Sequence, residues 1–423
     1  MAARSFAPLE GGAHDWEPLL ARIGDARFVL LGEATHGTHE FYRERARLTK
    51  ELVLRHGFDA IAIEADWPDA YRVHRWVTGQ GDDADADQAL AGFRRFPTWM
   101  WRNHDVRELV TWLRDHNRET GRHVGFFGLD LYSLYASIES VVHDLDRLDP
   151  DAAAEARRRY ACFDRFDASA ETYGMRTGLA FEESCARAAS AQVAALHAMD
   201  GKELFGAEQN ARVVAAAEHY YRRMFAGGAA TWNIRDRHMA DTLAEIAQRL
   251  DRDLGRASRI VVWEHNSHLG DARATQMADE GELNVGQLVR ERWAKDSFLV
   301  GLTTYEGTVV AASDWDRPGH VQRVRPALPG SFEALLHEVD APEFLLLPDE
   351  DRRLPAGLRR ERLERAIGVV YRPETERASH WFRARLGDQF DAVLHIDKTS
   401  AVVPLDHDAL PSDEPPETYP FSV

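Results

Sequence analysis

The chain is predicted to be an α/β protein, with a mainly parallel β-sheet flanked by helices and a large all-helical insertion. Three observations predict this. Short apolar runs alternate with amphipathic helical segments over the first 148 residues; a long Ala- and Arg-rich stretch without strand candidates follows; strand-like runs then return. The length of 423 residues, 44% of them hydrophobic, is enough for one large core with such an elaboration.

In order, Phe28–Leu31 reads as the first strand, 40–55 as a helix closed by Gly57, and 60–63 as the next strand. Helices around 68–78 and 104–119 and a run at 124–129 follow, joined by right-handed crossovers. From 149 to 254, segments such as ARVVAAAEHYYRRMF and RDRHMADTLAEIAQRL have helical spacing only. Strand character returns at 260–263 and 298–303, then in GTVVAAS as a hairpin arm, and at 344–347, 367–371 and 392–396 as extensions of the same sheet. The end, LPSDEPPETYP, is acidic and proline-rich and is expected to be a mobile tail. One domain over 1–423 results: 20–148 and 255–405 form the α/β core, 149–254 is the helical insertion that shapes a pocket, and 406–423 is the tail.

Composition narrows the partners. A net charge of -18 disfavours nucleic acid and anionic membranes, which demand clustered cations, and leaves a neutral or cationic small molecule as the expected partner. No apolar stretch is long enough for a membrane span or a signal peptide, so a cytoplasmic location is expected. Four lysines against 48 arginines reflect a GC-rich genome rather than a function. Cys162 and Cys185 fall in the helical region and read as buried fillers; two cysteines cannot form a disulfide framework or a cysteine-based zinc site.

Chemistry is expected where the parallel strands end. The first strand runs into Glu33, His36, His39 and, within the following helix, Arg45. The other runs end on Glu64, on Asp130, and on Glu264, His265 and Asn266 with His268 two residues on. Motifs for serine nucleophiles, zincins and dinucleotide binding are absent. A cluster of His, Glu, Asp and Arg suits acid–base activation of water. His36 is the candidate base, with Glu33 three residues before it to orient its ring and Glu64 to hold the water. His265 is a donor for a developing oxyanion, and Arg45 adds charge or fixes a carboxylate. Asp130, His39 and His268 are candidates for substrate binding. The spacings HGTH and HNSH also leave a metal-dependent hydrolase open, and a third reading is a binding protein without turnover.

At these residues the chain resembles the erythromycin esterase family, which includes macrolide-lactone esterases and proteins labelled as succinoglycan biosynthesis proteins. The resemblance is carried by LGEATHGTHEFYRER, FDAIAIEADWPDAY, PTWMWRN, GLDLYS, WNIRDRHMA, VVWEHNSHLGDAR and AIGVVYRPETERASHWF, over about residues 28–405. It implies a carboxylic ester hydrolase with an erythromycin esterase-like fold, acting on an ester or macrolactone without metal, cofactor or covalent intermediate. It further implies that His36 is the general base and that Glu33, Glu64, His265 and Arg45 share its site. Antibiotic resistance is one role the resemblance suggests. Glu264 departs from the small residue expected before His265.

Overall fold

The computed structural model describes residues 5–12, 14–199, 201–226, 228–349 and 353–406, so the expected tail lies almost wholly outside the described residues. Eleven strands occur among them: β1 Phe6–Pro8, β2 Phe28–Leu31, β3 Ala60–Asp66, β4 Gly125–Asp130, β5 Ile260–Trp263, β6 Ser297–Ala311, β7 His320–Val324, β8 Glu343–Leu346, β9 Arg362–Arg365, β10 Trp381–Ala384 and β11 Ala392–Thr399. The main sheet has the order β1-β8-β11-β6-β2-β5-β3-β4, with β7 paired to the far end of β6, and β9 and β10 form a separate antiparallel ribbon. From β11 to β4 all neighbours are parallel; β1, β8 and β7 pair antiparallel.

Strand periodicity decides what the two faces bury. Val29, Leu31, Ile61, Ile63, Val261 and Trp263 face one core, with Leu19, Phe41, Leu52 and Leu109 from the helices Glu17–Ile23, His39–His56 and His104–Thr120. Phe28, Leu30, Ala60, Ala62, Ile260 and Val262 face the other, covered by Met239, Leu243 and Ile246 of the helix Ala229–Leu254. Alternation at period two with both faces covered is what a parallel sheet inside a helical jacket requires.

The helical region begins at Leu134, ahead of the expected 149, because the helix Leu134–Leu148 packs Leu134, Val141 and Leu145 into a third core with Tyr173, Val214 and Tyr221. The last helix of the expected insertion, Ala229–Leu254, belongs instead to the sheet it covers. Cys162 and Cys185 are not separate fillers: a disulfide joins them within this helical region, their Cα atoms 6.0 Å apart. Residues 298–311 form one continuous strand rather than a strand and a separate arm, although the GTVVA half does pair antiparallel with β7 as a hairpin arm should. The run at 367–371 is not a sheet strand. It lies past the strand ends, making single bridges to Thr35 and Ala312.

Candidate functional site at the strand ends

The parallel register sets the ends of β2, β5, β3 and β4 side by side, and the loops leaving them build the site. The loop after β2 is held tightly: Gly37 accepts from Val310 N–H and Val402 N–H, each at 3.0 Å, and a Cβ on Gly37 would overlap the Val310 carbonyl. Glu64 sits in an irregularity of β3. Ile63 is paired with Gly128 and Asp66 with Asp130, so three steps on β3 match two on β4, a bulge that re-aims Glu64. Gly128 permits it: a Cβ there would lie 2.5 Å from the Asp66 carbonyl oxygen and overlap that of Ala65.

Two networks meet at a cavity of about 310 Å3. In the first, Arg45 Nη2 donates to Glu33 Oε2 at 2.6 Å, and Glu33 Oε1 lies 3.0 Å from His36 Nδ1. Arg45 has a side-chain exposure of 0%, its guanidinium 4.6 Å from the ring centres of both Tyr42 and Trp263. A proton on Nδ1 shared with Glu33 leaves His36 Nε2 as the acceptor. His36 lines the cavity, with Glu33 and Arg45 behind it.

The second network centres on Arg235, from the helix Ala229–Leu254. Its Nε and Nη2 donate to Asp130 at 3.0 and 2.6 Å, Nη2 donates to Glu64 Oε1 at 2.8 Å, and Nη1 lies 3.0 Å from His268 Nε2. His268 Nδ1 pairs with Asp236 at 2.9 Å, and its ring stacks on Trp232 at 4.4 Å. Burial opposes charge on His268, but Asp236 and Glu64 outweigh it and raise its pKa. For Glu64, burial is likewise the largest influence and opposes the charged form; His268, His36, Arg235 and the His265 N–H together reverse it and hold the carboxyl well below the usual range.

His265 joins the two networks. Its N–H donates to Glu64 Oε2 at 2.8 Å, and its ring lies 4.8 Å from that of His36. Ser267 N–H donates to His265 Nδ1 at 3.2 Å, which places the proton of the neutral ring on Nε2. That Nε2 is buried without a hydrogen-bond partner, on a residue that lines the cavity. Burial and the neighbouring His36 push the imidazole down to about 3, against Glu64 and the Ala34 carbonyl. The result is a neutral donor at the cavity wall, with the Ala34 carbonyl beside its ring.

Of the residues expected from sequence, His36, Glu64, His265 and His268 line the cavity, while Glu33, Arg45 and Asp130 stand behind them. His39 is not brought to the cavity; its Nδ1 turns to Asp105 on the helix His104–Thr120, 2.9 Å away. The two H-x-x-H pairs therefore do not converge, and among the described residues no group of three His, Cys, Asp or Glu side chains is set to hold a metal ion. Glu264 is 1% exposed and absent from the wall, so it does not alter access. Burial, reinforced by the charges of Glu64, Asp236 and Asp130, keeps it a neutral acid. Sequence reasoning missed Arg235 and Asp236. Their signal lay in WNIRDRHMA, on a helix read only as pocket-shaping.

A parallel sheet whose strand ends gather imidazole, carboxylate and guanidinium groups at a cavity defines an α/β protein with a cluster of ionisable side chains at one sheet edge. The chain belongs to the erythromycin esterase family, whose model matches residues 53–399. That span contains Glu64, Asp130, Arg235, His265 and His268 and begins after Glu33, His36 and Arg45. The erythromycin esterase type II of Escherichia coli is 24% identical over 330 residues, covering 70% of this chain and 73% of its own. Two solved structures share the fold: a succinoglycan biosynthesis protein (TM-score 0.75, 23% identity, 95% of this chain and 96% of that one) and an erythromycin esterase variant in an open conformation (TM-score 0.68, 18% identity, 93% and 96%). Family membership supports a hydrolase acting on a small molecule. Among the described residues no helix is long and apolar enough to cross a membrane.

Proposed function

We propose that the protein is a carboxylic ester hydrolase in which His36 Nε2 takes a proton from a water molecule as that water attacks the ester carbonyl. The observation that carries this reading is the linear chain Arg45–Glu33–His36, which ends at the cavity. Glu33 fixes the tautomer and stabilises the imidazolium formed in the step; Arg45 has no opening to substrate and acts by pinning Glu33. Glu64, charged and on the wall, keeps a lone pair on each oxygen to orient the water. His265 Nε2–H donates to the oxygen that becomes negative, a role suited to a neutral ring that need not be reorganised as charge develops. The proton held by His36 then passes to the departing alkoxide, and no acyl-enzyme forms.

The test is mass spectrometry of a panel of simple esters and a 14-membered macrolactone incubated with the protein, with His36→Ala as control. Addition of one water by the unmodified protein alone is the expected result. A hydroxylamine-trapped acyl-enzyme, or equal turnover by His36→Ala, would overturn the mechanism.

A further inference from the structure

Asn266 stands between the two histidines of HNSH, is fully buried, and has no part in the proton transfers described above. Its bonds nevertheless reach three of the elements that build the site. Strand β2 ends at Leu31, paired with Val300, and Gly32 N–H still donates to the Val300 carbonyl at 2.8 Å before the chain turns away. Strand β6 runs on, so the peptide groups of Leu302 that a longer β2 would meet face a gap. The Asn266 carboxamide fills it: Nδ2 donates to the Leu302 carbonyl at 2.9 Å, and Leu302 N–H donates to Oδ1 at 3.3 Å. A side-chain amide thus takes the place of a strand peptide. The second hydrogen on Nδ2 is directed to Glu364 Oε1 at 3.5 Å. Gly32 leaves the room this needs, since a Cβ there would overlap Asn266 Oδ1.

The backbone completes the link. Asn266 N–H donates to the Glu33 carbonyl at 2.8 Å, and the preceding His265 N–H donates to Glu64 Oε2 at 2.8 Å. Two consecutive peptide groups are therefore tied to the residue that orients His36 and to the carboxylate on the cavity wall, while the carboxamide clamps them to the middle of the sheet. We propose that Asn266 is a positioning residue that sets the spacing of the His36 and His265 rings, 4.8 Å apart, by anchoring both strand-end loops to β6. A carboxamide suits the task because it offers a donor and an acceptor side by side without a charge that would disturb the neighbouring imidazoles. The assignment rests on the ester-hydrolase reading above, and Asn266 itself acts from behind the cavity wall.

The test uses the intact protein with two single replacements and their combination, followed on an ester that the parent hydrolyses. Asn266→Ala removes the clamp, whereas Gly32→Ala leaves Asn266 in place and displaces its carboxamide. Each is expected to lower kcat about tenfold or more with KM within about twofold of the parent, because misplaced rings cost transition-state contacts rather than binding. In the Asn266→Ala background the methyl group added by Gly32→Ala has space, so the double variant is expected to match Asn266→Ala alone. An unchanged kcat in the folded variants, a loss carried by KM alone, or losses that multiply in the double variant would overturn the assignment. Proton–nitrogen correlation spectra of the imidazoles give a readout that needs no turnover. The parent is expected to hold the ring protons on His36 Nδ1 and His265 Nε2, and each single variant to average the two positions on at least one ring. If no ester is hydrolysed, the ester reading fails and these spectra decide the assignment alone: rings that keep both tautomers in the variants reject it. Should Asn266→Ala not fold, Gly32→Ala carries both readouts.

Discussion

Two buried arginines serve the cavity, and they are set in opposite ways. Arg45 makes one hydrogen bond to one carboxylate and rests between two aromatic rings, its Nε and Nη1 without partners. Arg235 is bound through Nε and Nη2 to Asp130 and Glu64, with Nη1 set 3.0 Å from His268 Nε2. The first arrangement is a line that delivers orientation to a single imidazole. The second is a closed mesh that ties the helix Ala229–Leu254 to the ends of β3 and β4 and to the His268 turn. The contrast teaches that buried charge has two uses: a line orients one side chain, whereas a mesh holds elements together.

The line is broken most severely at its end. His36→Ala is expected to lower kcat/KM about a thousandfold, the upper part of what positioned acid–base groups contribute, with an unfolding midpoint close to that of the parent. A thermal midpoint that collapses together with activity would assign His36 to the fold instead. The two arginines are next separated by the same conservative change. Arg235→Lys forfeits the forked contacts to Asp130 and leaves buried carboxylates under-satisfied, so urea denaturation should show a loss of about 3 kcal/mol. Arg45→Lys keeps a charge near Glu33 and is expected to cost about 1 kcal/mol of stability while cutting kcat/KM at least tenfold, because Glu33 loses its fixed orientation. Equal stability losses in the two variants would erase the distinction between line and mesh.

A smaller effect is expected where the mesh meets the sheet. Gly128→Ala sets a methyl group against the Ala65 and Asp66 carbonyls, so the β3 bulge must shift, at about 2 kcal/mol by analogy with other overpacked sites. Because the bulge aims Glu64, activity should fall further than stability alone explains. A fully active, destabilised variant would show that the bulge serves only the fold.

The sheet was legible because its strands are apolar on both faces and end in polar residues, a pattern that local sequence carries by itself. Phe28–Leu31 and Ile260–Trp263 fall where the apolar runs placed them. The run at 367–371 misled because its apolar residues line a cavity and a core satellite instead of pairing with a strand, and periodicity does not distinguish the two. His39 misled differently. Its place in HGTH is the first position of the helix His39–His56, which turns it toward Asp105 and away from His36, a direction fixed by tertiary packing. Arg235 was hidden because its partners come from 105 and 171 residues away in sequence. Helical periodicity does not carry long-range ion pairing; only the motif WNIRDRHMA marked the residue.

Protonation offers the finest test, because His268 and His265, three residues apart, are driven in opposite directions. His268 has a raised pKa, so whatever stability its charge contributes is fully present below about 6.5 and is lost as pH rises through its folded value. His265 is pushed down to about 3; its contribution is complete above 6.5, and it is lost as pH falls toward 3 because the unfolded chain binds a proton that the folded one refuses. His74, pushed down to about 3 by burial between helix and sheet, behaves as His265 does but lies away from the cavity wall, stacked on Phe127. Each such ring adds about 1.4 kcal/mol per pH unit to the fall in stability between pH 6 and pH 4. His268 adds nothing to that slope, being charged in both states there. Urea denaturation of His74→Phe across this range should therefore show a slope shallower by about 1.4 kcal/mol per pH unit, with the hydrolytic pH profile unmoved. An unchanged slope would mean that His74 takes up its proton in the folded protein, and that burial at this sheet does less to hold an imidazole neutral than the His265 reading requires.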